Sequence, residues 1–271
     1  MCCYVVNTET GKGATQSHLS CLAAVHTMPA TGRMLVSNAG GDTKGGTPMT
    51  TGMTLEQRAA EVMRRLGELY PDAHSALDYA GDPWRLLVAV ILSAQTTDVG
   101  VNRVTPVLFA KYPRPEDLAS ADVLDVEEIV HSTGFYHNKT KSIMAAARMV
   151  VAEFDGHVPD TMQDLMRLPG VARKTANIVI SNAFGHVEGI AVDTHVFRLA
   201  HRLGLSEEKD PDKVELDLTE LLPRDQWYAV NYRFIDHGRA VCTAKRPACG
   251  ACVLSDVCPA AFTVEGWRQE P

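Results

Sequence analysis

Leu165-Met166-Arg167-Leu168-Pro169-Gly170-Val171-Ala172-Arg173-Lys174-Thr175-Ala176 is the stretch that decides the fold. A helix runs to Leu168, Pro169 and Gly170 make a tight turn, and a second helix starts at about Arg173. Two helices joined by so short a turn form an αα-hairpin. The second helix begins with backbone N–H groups that have no partner inside it. Those amides, aided by the helix dipole, suit a phosphate oxygen. A plain structural hairpin reads the same way, so the choice between them rests on what lies around it.

Helical signals continue on both sides. Thr54-Leu55-Glu56-Gln57 is a capping-box pattern, followed by Leu55, Ala59, Val62, Met63 and Leu66 at helical spacing. Asp82-Pro83 opens a second helix whose Leu86–Leu92 portion is apolar all round, as in a buried central helix. Further helices are predicted over 98–111, 121–132, 138–154, 161–168, 173–184, 193–203, 211–222 and 226–238. No convincing pair of alternating strands and no internal repeat is found, so the chain is predicted to be all-α. Residues 1–53 are rich in Gly, Thr, Ser and Asn without an apolar period, and are expected to be a disordered N-terminal extension.

Composition narrows the function. The 271 residues, 45% hydrophobic and 22% charged, are those of an ordinary globular protein large enough for two modest domains. No apolar run reaches the ~18 residues of a membrane span, and no export signal precedes the first helix, so a cytoplasmic protein is expected. The net charge of −7 argues against a nucleic-acid partner at first sight. Two short runs carry much of the acid, however: 116–128 holds six acidic residues and no basic one, and 207–220 holds seven against two. We read both as solvated helix faces, which leaves room for a basic face elsewhere.

Three features carry chemistry. Lys174 stands in the first turn after the hairpin, where a cation opposes the helix dipole and loss of its proton is eased. A neutral amine is a Schiff-base nucleophile; a phosphate contact is the plainer role for the same residue. Nineteen residues on, Val192-Asp193-Thr194-His195 opens another helix. Asp193 suits an N-cap, or a carboxylate that stabilises a cationic sugar or takes a proton. The third feature is Cys242, Cys249, Cys252 and Cys258, spaced C-x6-C-x2-C-x5-C. Four thiolates so close together in a chain with no export signal fit zinc or an iron–sulfur cluster, and spacing does not separate the two. The loop between the first two cysteines would present Lys245 and Arg246 rigidly, as a phosphate contact requires.

LPGVARKTAN, AVDTH, the cysteine run and LSAQTTD upstream, in this order, resemble the endonuclease III family of the helix-hairpin-helix glycosylase superfamily, from about Leu55 to Cys258. The resemblance implies two helical domains with DNA in the cleft between them. A six-helix barrel would span 76–187. A [4Fe–4S] cluster domain would combine 54–75 with 188–262, and 263–271 would be a C-terminal tail. It implies a bifunctional DNA glycosylase and abasic-site lyase, monomeric and nucleoid-associated. The substrate would be double-stranded DNA holding an oxidised pyrimidine or an abasic site. Carried over by position, Lys174 is the Schiff-base lysine, Asp193 the essential carboxylate, and Cys242, Cys249, Cys252 and Cys258 the cluster ligands. Gln95, Phe135, Gly170, Ala172, Arg173, His195, Lys245 and Arg246 are the expected DNA contacts.

Two positions depart from the family pattern. Ala172 stands where the family usually has Gly, and its methyl would crowd a phosphate or forbid a positive φ. Phe135 stands where the family commonly has Leu in a wedge loop; it would unstack bases or lie in the core. The rival readings are a monofunctional adenine-removing glycosylase of the same superfamily, which usually lacks the lysine, a DNA-binding module without catalysis, and an electron-transfer or zinc protein.

Overall fold

A computed structural model of the chain describes residues 52–271, and every regular element among them is helical. The expectations for residues 1–51 lie outside the described residues. Eleven α-helices follow one another: α1 Leu55–Leu69, α2 Pro83–Leu92, α3 Asp98–Lys111, α4 Pro115–Ala119, α5 Val123–Val130, α6 Tyr136–Glu153, α7 Met162–Leu165, α8 Arg173–Val179, α9 Thr194–Arg202, α10 Pro211–Leu221 and α11 Trp227–Ala240. The signals read from sequence are physically present at their starts. Thr54 and Gln57 exchange both bonds of the capping box, and Asp82 caps α2 ahead of Pro83. The five-residue α4 is absent from the sequence-based helix set, because a single turn shows no period. The predicted helix over 173–184 is α-helical only to Val179 and widens into a π-turn over Ile180–Phe184.

Buried apolar side chains fall into two clusters. One runs from Leu77 to Ile180, with α2 at its centre: Trp84 and Leu86 to Leu92 are all buried. The other joins Ala59, Val62, Met63 and Leu66 of α1 to residues between Ile190 and Val257. The chain therefore leaves the second cluster after α1, builds the first, and returns. We call these the first and second lobes.

Named polar contacts stitch the lobes together. Arg239 of α11 donates to Asp98 of α3 at 2.9 Å, and Asn182 in the π-turn donates to the Tyr232 hydroxyl of α11 at 2.7 Å. The acidic run 207–220 is not the uniformly solvated face expected from sequence: Glu215 is 3% exposed. It faces the first lobe, accepting from Arg173 Nε at 2.7 Å and Asn177 Nδ2 at 3.1 Å. Removing a carboxylate from water is costly unless it is paired, and here the hairpin helix supplies the partner.

Candidate active site and cluster site

The hairpin is shaped by Gly170, whose φ is +82°. A Cβ there would lie 2.8 Å from Cβ of Ser142 on α6, so both the conformation and the packing demand glycine. Of the two concerns raised by Ala172, the backbone one is answered: the residue is extended, with φ −97°, and its methyl incurs no left-handed strain. Arg173, expected as a DNA contact, turns its guanidinium onto buried Glu215. Sequence reasoning missed this pair because Glu215 sat within a run of acids. Lys174, the next residue, is exposed.

Asp193 caps α9. Its Oδ1 accepts from the amides of His195 and Val196, each at 2.8 Å, and its Oδ2 lies 3.0 Å from His195 Nδ1. Burial pushes this carboxyl up, but the His195 and Val196 hydrogen bonds and the charges of His195 and Lys174 outweigh it. The group is held below the usual carboxylate range. The structural and chemical roles weighed for Asp193 thus coexist: it is an N-cap, and it lies within electrostatic reach of Lys174, which stands on the other lobe. His195 packs tightly on α11, where a Cβ at Gly238 would meet its ring at 2.9 Å.

Gln95 and Phe135 lie in two turns of the first lobe, and both are left-handed: φ is +54° at Gln95 and +48° at Phe135. Neither residue is glycine, so each conformation is strained and must be held by its surroundings. Phe135 is 66% exposed, which excludes the alternative that it fills the core. Lys245 and Arg246 are exposed on the loop between Cys242 and Cys249.

Cys242, Cys249, Cys252 and Cys258 line one apolar pocket. Among the described residues, no three His, Cys, Asp or Glu side chains converge closely enough to hold a single ion. Four cysteines lining one apolar pocket fit an iron–sulfur cluster held by four thiolates. Burial pushes the Cys252 thiol up to about 12 and the Cys258 thiol up to about 11. As thiolates these two need positive charge beside them, which iron would supply. Two side chains reach the sulfurs: Arg202 Nη1 donates to Cys242 Sγ at 3.2 Å, and His237 Nε2 lies 3.3 Å from Cys252 Sγ. Sequence reasoning identified neither. The segment expected as a tail, 263–271, touches the cysteine loop. The Arg268 amide donates to Pro247 O at 2.8 Å and the Gly250 amide to Arg268 O at 3.1 Å, so this segment is laid along the cysteine loop.

The family described as "HhH-GPD superfamily base excision DNA repair protein" matches residues 88–224, and the "Iron-sulfur binding domain of endonuclease III" matches 242–258. Endonuclease III of Synechocystis sp. is 52% identical over 206 residues, covering 76% of this chain and 94% of that protein. Endonuclease III of Escherichia coli K12 is 37% identical over 73% of this chain and 93% of its own length. Among solved structures, a non-covalent endonuclease III–DNA complex superposes with a TM-score of 0.74 at 39% identity, covering 78% of this chain and 98% of that one. A trapped endonuclease III–DNA covalent intermediate gives the same TM-score and identity. This chain belongs to the endonuclease III family of base excision DNA repair proteins, and Cys242, Cys249, Cys252 and Cys258 fit the [4Fe–4S] cluster that the family carries.

Proposed function

We propose a residue-level mechanism for the glycosylase and abasic-site lyase activity that belongs to the family, with damaged pyrimidines as the bases removed. The observation that supports it is the place of Asp193, half-buried at the start of α9 in one lobe, where the charge of Lys174 on the other lobe helps hold its carboxyl below the usual range. DNA bound between the lobes would turn the damaged nucleotide out of the stack. Gln95 and Phe135 would occupy the space it leaves, and the amides around Gly170 and Ala172, with Lys245 and Arg246, would hold the backbone.

The Lys174 amine then attacks C1′. The C1′–N bond breaks, and the base leaves with the electron pair and picks up a proton. Asp193 has committed Oδ1 to the cap and one side of Oδ2 to His195. A carboxylate has about four lone-pair sites, so Oδ2 retains one toward the sugar. Ionised at neutral pH, it stabilises the positive charge that develops on the sugar as the bond breaks. The attacking nitrogen gives up a proton, the C1′–O4′ bond breaks with its electron pair going to O4′, which takes a proton, and an iminium forms between Lys174 and C1′. Loss of a C2′ proton then expels the 3′ oxygen, and the strand is cut by β-elimination. The cluster, when bound, knits the loop that carries Lys245 and Arg246.

The two apolar cores support domain boundaries at 76–187 for the barrel, and at 54–75 with 188–262 for the cluster domain. A DNA substrate supports a location at the nucleoid. Because one chain supplies both Lys174 and Asp193, a monomer suffices for the chemistry. The test is borohydride trapping on a duplex with a single ring-saturated pyrimidine. We expect a covalent adduct that maps to Lys174, and an adduct on any other residue overturns the assignment.

A further inference from the structure

Lys139, in the first turn of α6, is 5% exposed and belongs to none of the ion pairs of the molecule's described part. Its ammonium donates to Thr96 Oγ1 at 2.6 Å and to the Thr133 carbonyl at 2.7 Å. The Thr96 hydroxyl also donates to the Thr133 carbonyl, which closes a three-membered polar knot. Thr96 follows Gln95, and Thr133 lies two residues before Phe135. The two loops are 37 residues apart in sequence, and this knot joins them. On both, the residue proposed to face the duplex has a left-handed backbone.

We propose that Lys139 is a positioning residue that staples the Gln95 turn to the Phe135 turn, so that both enter the duplex as one rigid unit when the damaged base is extruded. This rests on the reading of Gln95 and Phe135 as the duplex-facing residues. An aliphatic side chain would fill the same space without the cost of desolvating a charge. Burial draws the Lys139 ammonium below its ordinary range, with no carboxylate to offset it. What the ammonium adds is two directed, charge-assisted bonds to two different loops. One acceptor lies at the carbonyl end of α5 and its terminal 3-10 turn His131–Thr133, where the helix dipole favours a cation. Left-handed turns at non-glycine residues persist only where the surroundings hold them, and the staple sits next to both.

The experiment compares two reactions of cluster-loaded protein: excision of a ring-saturated pyrimidine, and cutting of a preformed abasic site, where no base remains to be extruded. Lys139→Met should slow excision about a hundredfold, the scale of a misplaced contact group, while abasic cutting stays within a few-fold. In a Gln95→Ala/Phe135→Ala background, Lys139→Met should add no further loss, because the residues it positions are gone. Equal losses in both reactions, or an undiminished effect in that background, would overturn the staple. Should Lys139→Met not fold, Thr96→Val removes only the hydroxyl of the knot and must show the same split; unchanged excision in Thr96→Val overturns the proposal as well. The wild-type chain separates the two levels: no excision by it defeats the proposed function, whereas normal excision without the split defeats only the staple.

Discussion

The first lobe closes on aliphatic side chains, whereas the far end of the second closes on sulfur. Around α2, Trp84 and seven consecutive residues from Leu86 to Leu92 are buried, and the cluster they join extends to Ile180. Between Cys242 and Cys258, the buried aliphatic side chains are Pro247, Ala248, Leu254 and Val257, and the four cysteines line the pocket. The difference teaches how the two lobes divide the work. A lobe stabilised by apolar burial, at about 25 cal/mol per Å2, can hold strained turns and a buried lysine for use against DNA. A segment with little apolar area borrows its order from a metal centre, and in return presents a rigid basic loop.

The largest expected effect cuts across the comparison at the seam. Lys174→Gln should abolish borohydride trapping and strand cutting, while DNA affinity, colour and fold remain near those of the wild type. Asp193→Asn should also cripple base excision, yet still cut preformed abasic sites slowly, because there the base has already gone and the amine is intact. Trapping by Lys174→Gln at the wild-type level would break the division of roles between the lobes. If Asp193→Asn loses both reactions equally, the carboxylate serves the cap rather than the sugar.

The second effect is confined to one lobe. Cys249→Ser should give poorly soluble protein without the yellow-brown absorbance of the cluster, since the loop has few apolar side chains to fall back on. Iron content and absorbance of anaerobically purified protein check this. Stoichiometric zinc and no iron in the wild type would reject the cluster and the contrast with it. Full iron loading in soluble Cys249→Ser would show that the loop is ordered by something other than the fourth thiolate.

The smallest effect lies where the lobes are joined. Glu215→Gln removes the charge that Arg173 faces but keeps the shape. Breaking a fully buried pair costs about 3–5 kcal/mol. The Arg173 side chain keeps 34% of its surface exposed, so we expect about 2 kcal/mol, or a fall in Tm of about 4–8 °C. Thermal unfolding followed by circular dichroism reads it. An unchanged Tm would mean that the apolar cores, rather than this ion pair, hold the hairpin helix to α10.

Local features were legible from the sequence alone. The Thr54 capping box, Asp82-Pro83, the Pro169-Gly170 turn and the Asp193 cap each depend on atoms within a few residues of one another, so neighbours in sequence suffice to specify them. The cysteine spacing likewise showed that sulfur would gather, and the order of the motifs carried the family. What the sequence did not decide is which surface each face meets. Helical periodicity marks a position as buried or exposed but does not name its partner. Glu215 looked solvated among its acidic neighbours until α10 packed against α8, 42 residues away at Arg173. Lys139 finds Thr96 across 43 residues, and Arg202 finds Cys242 across 40. How near the Lys174 charge comes to Asp193 depended on how two lobes, folded around separate cores, come to rest against each other, which packing between distant helices sets.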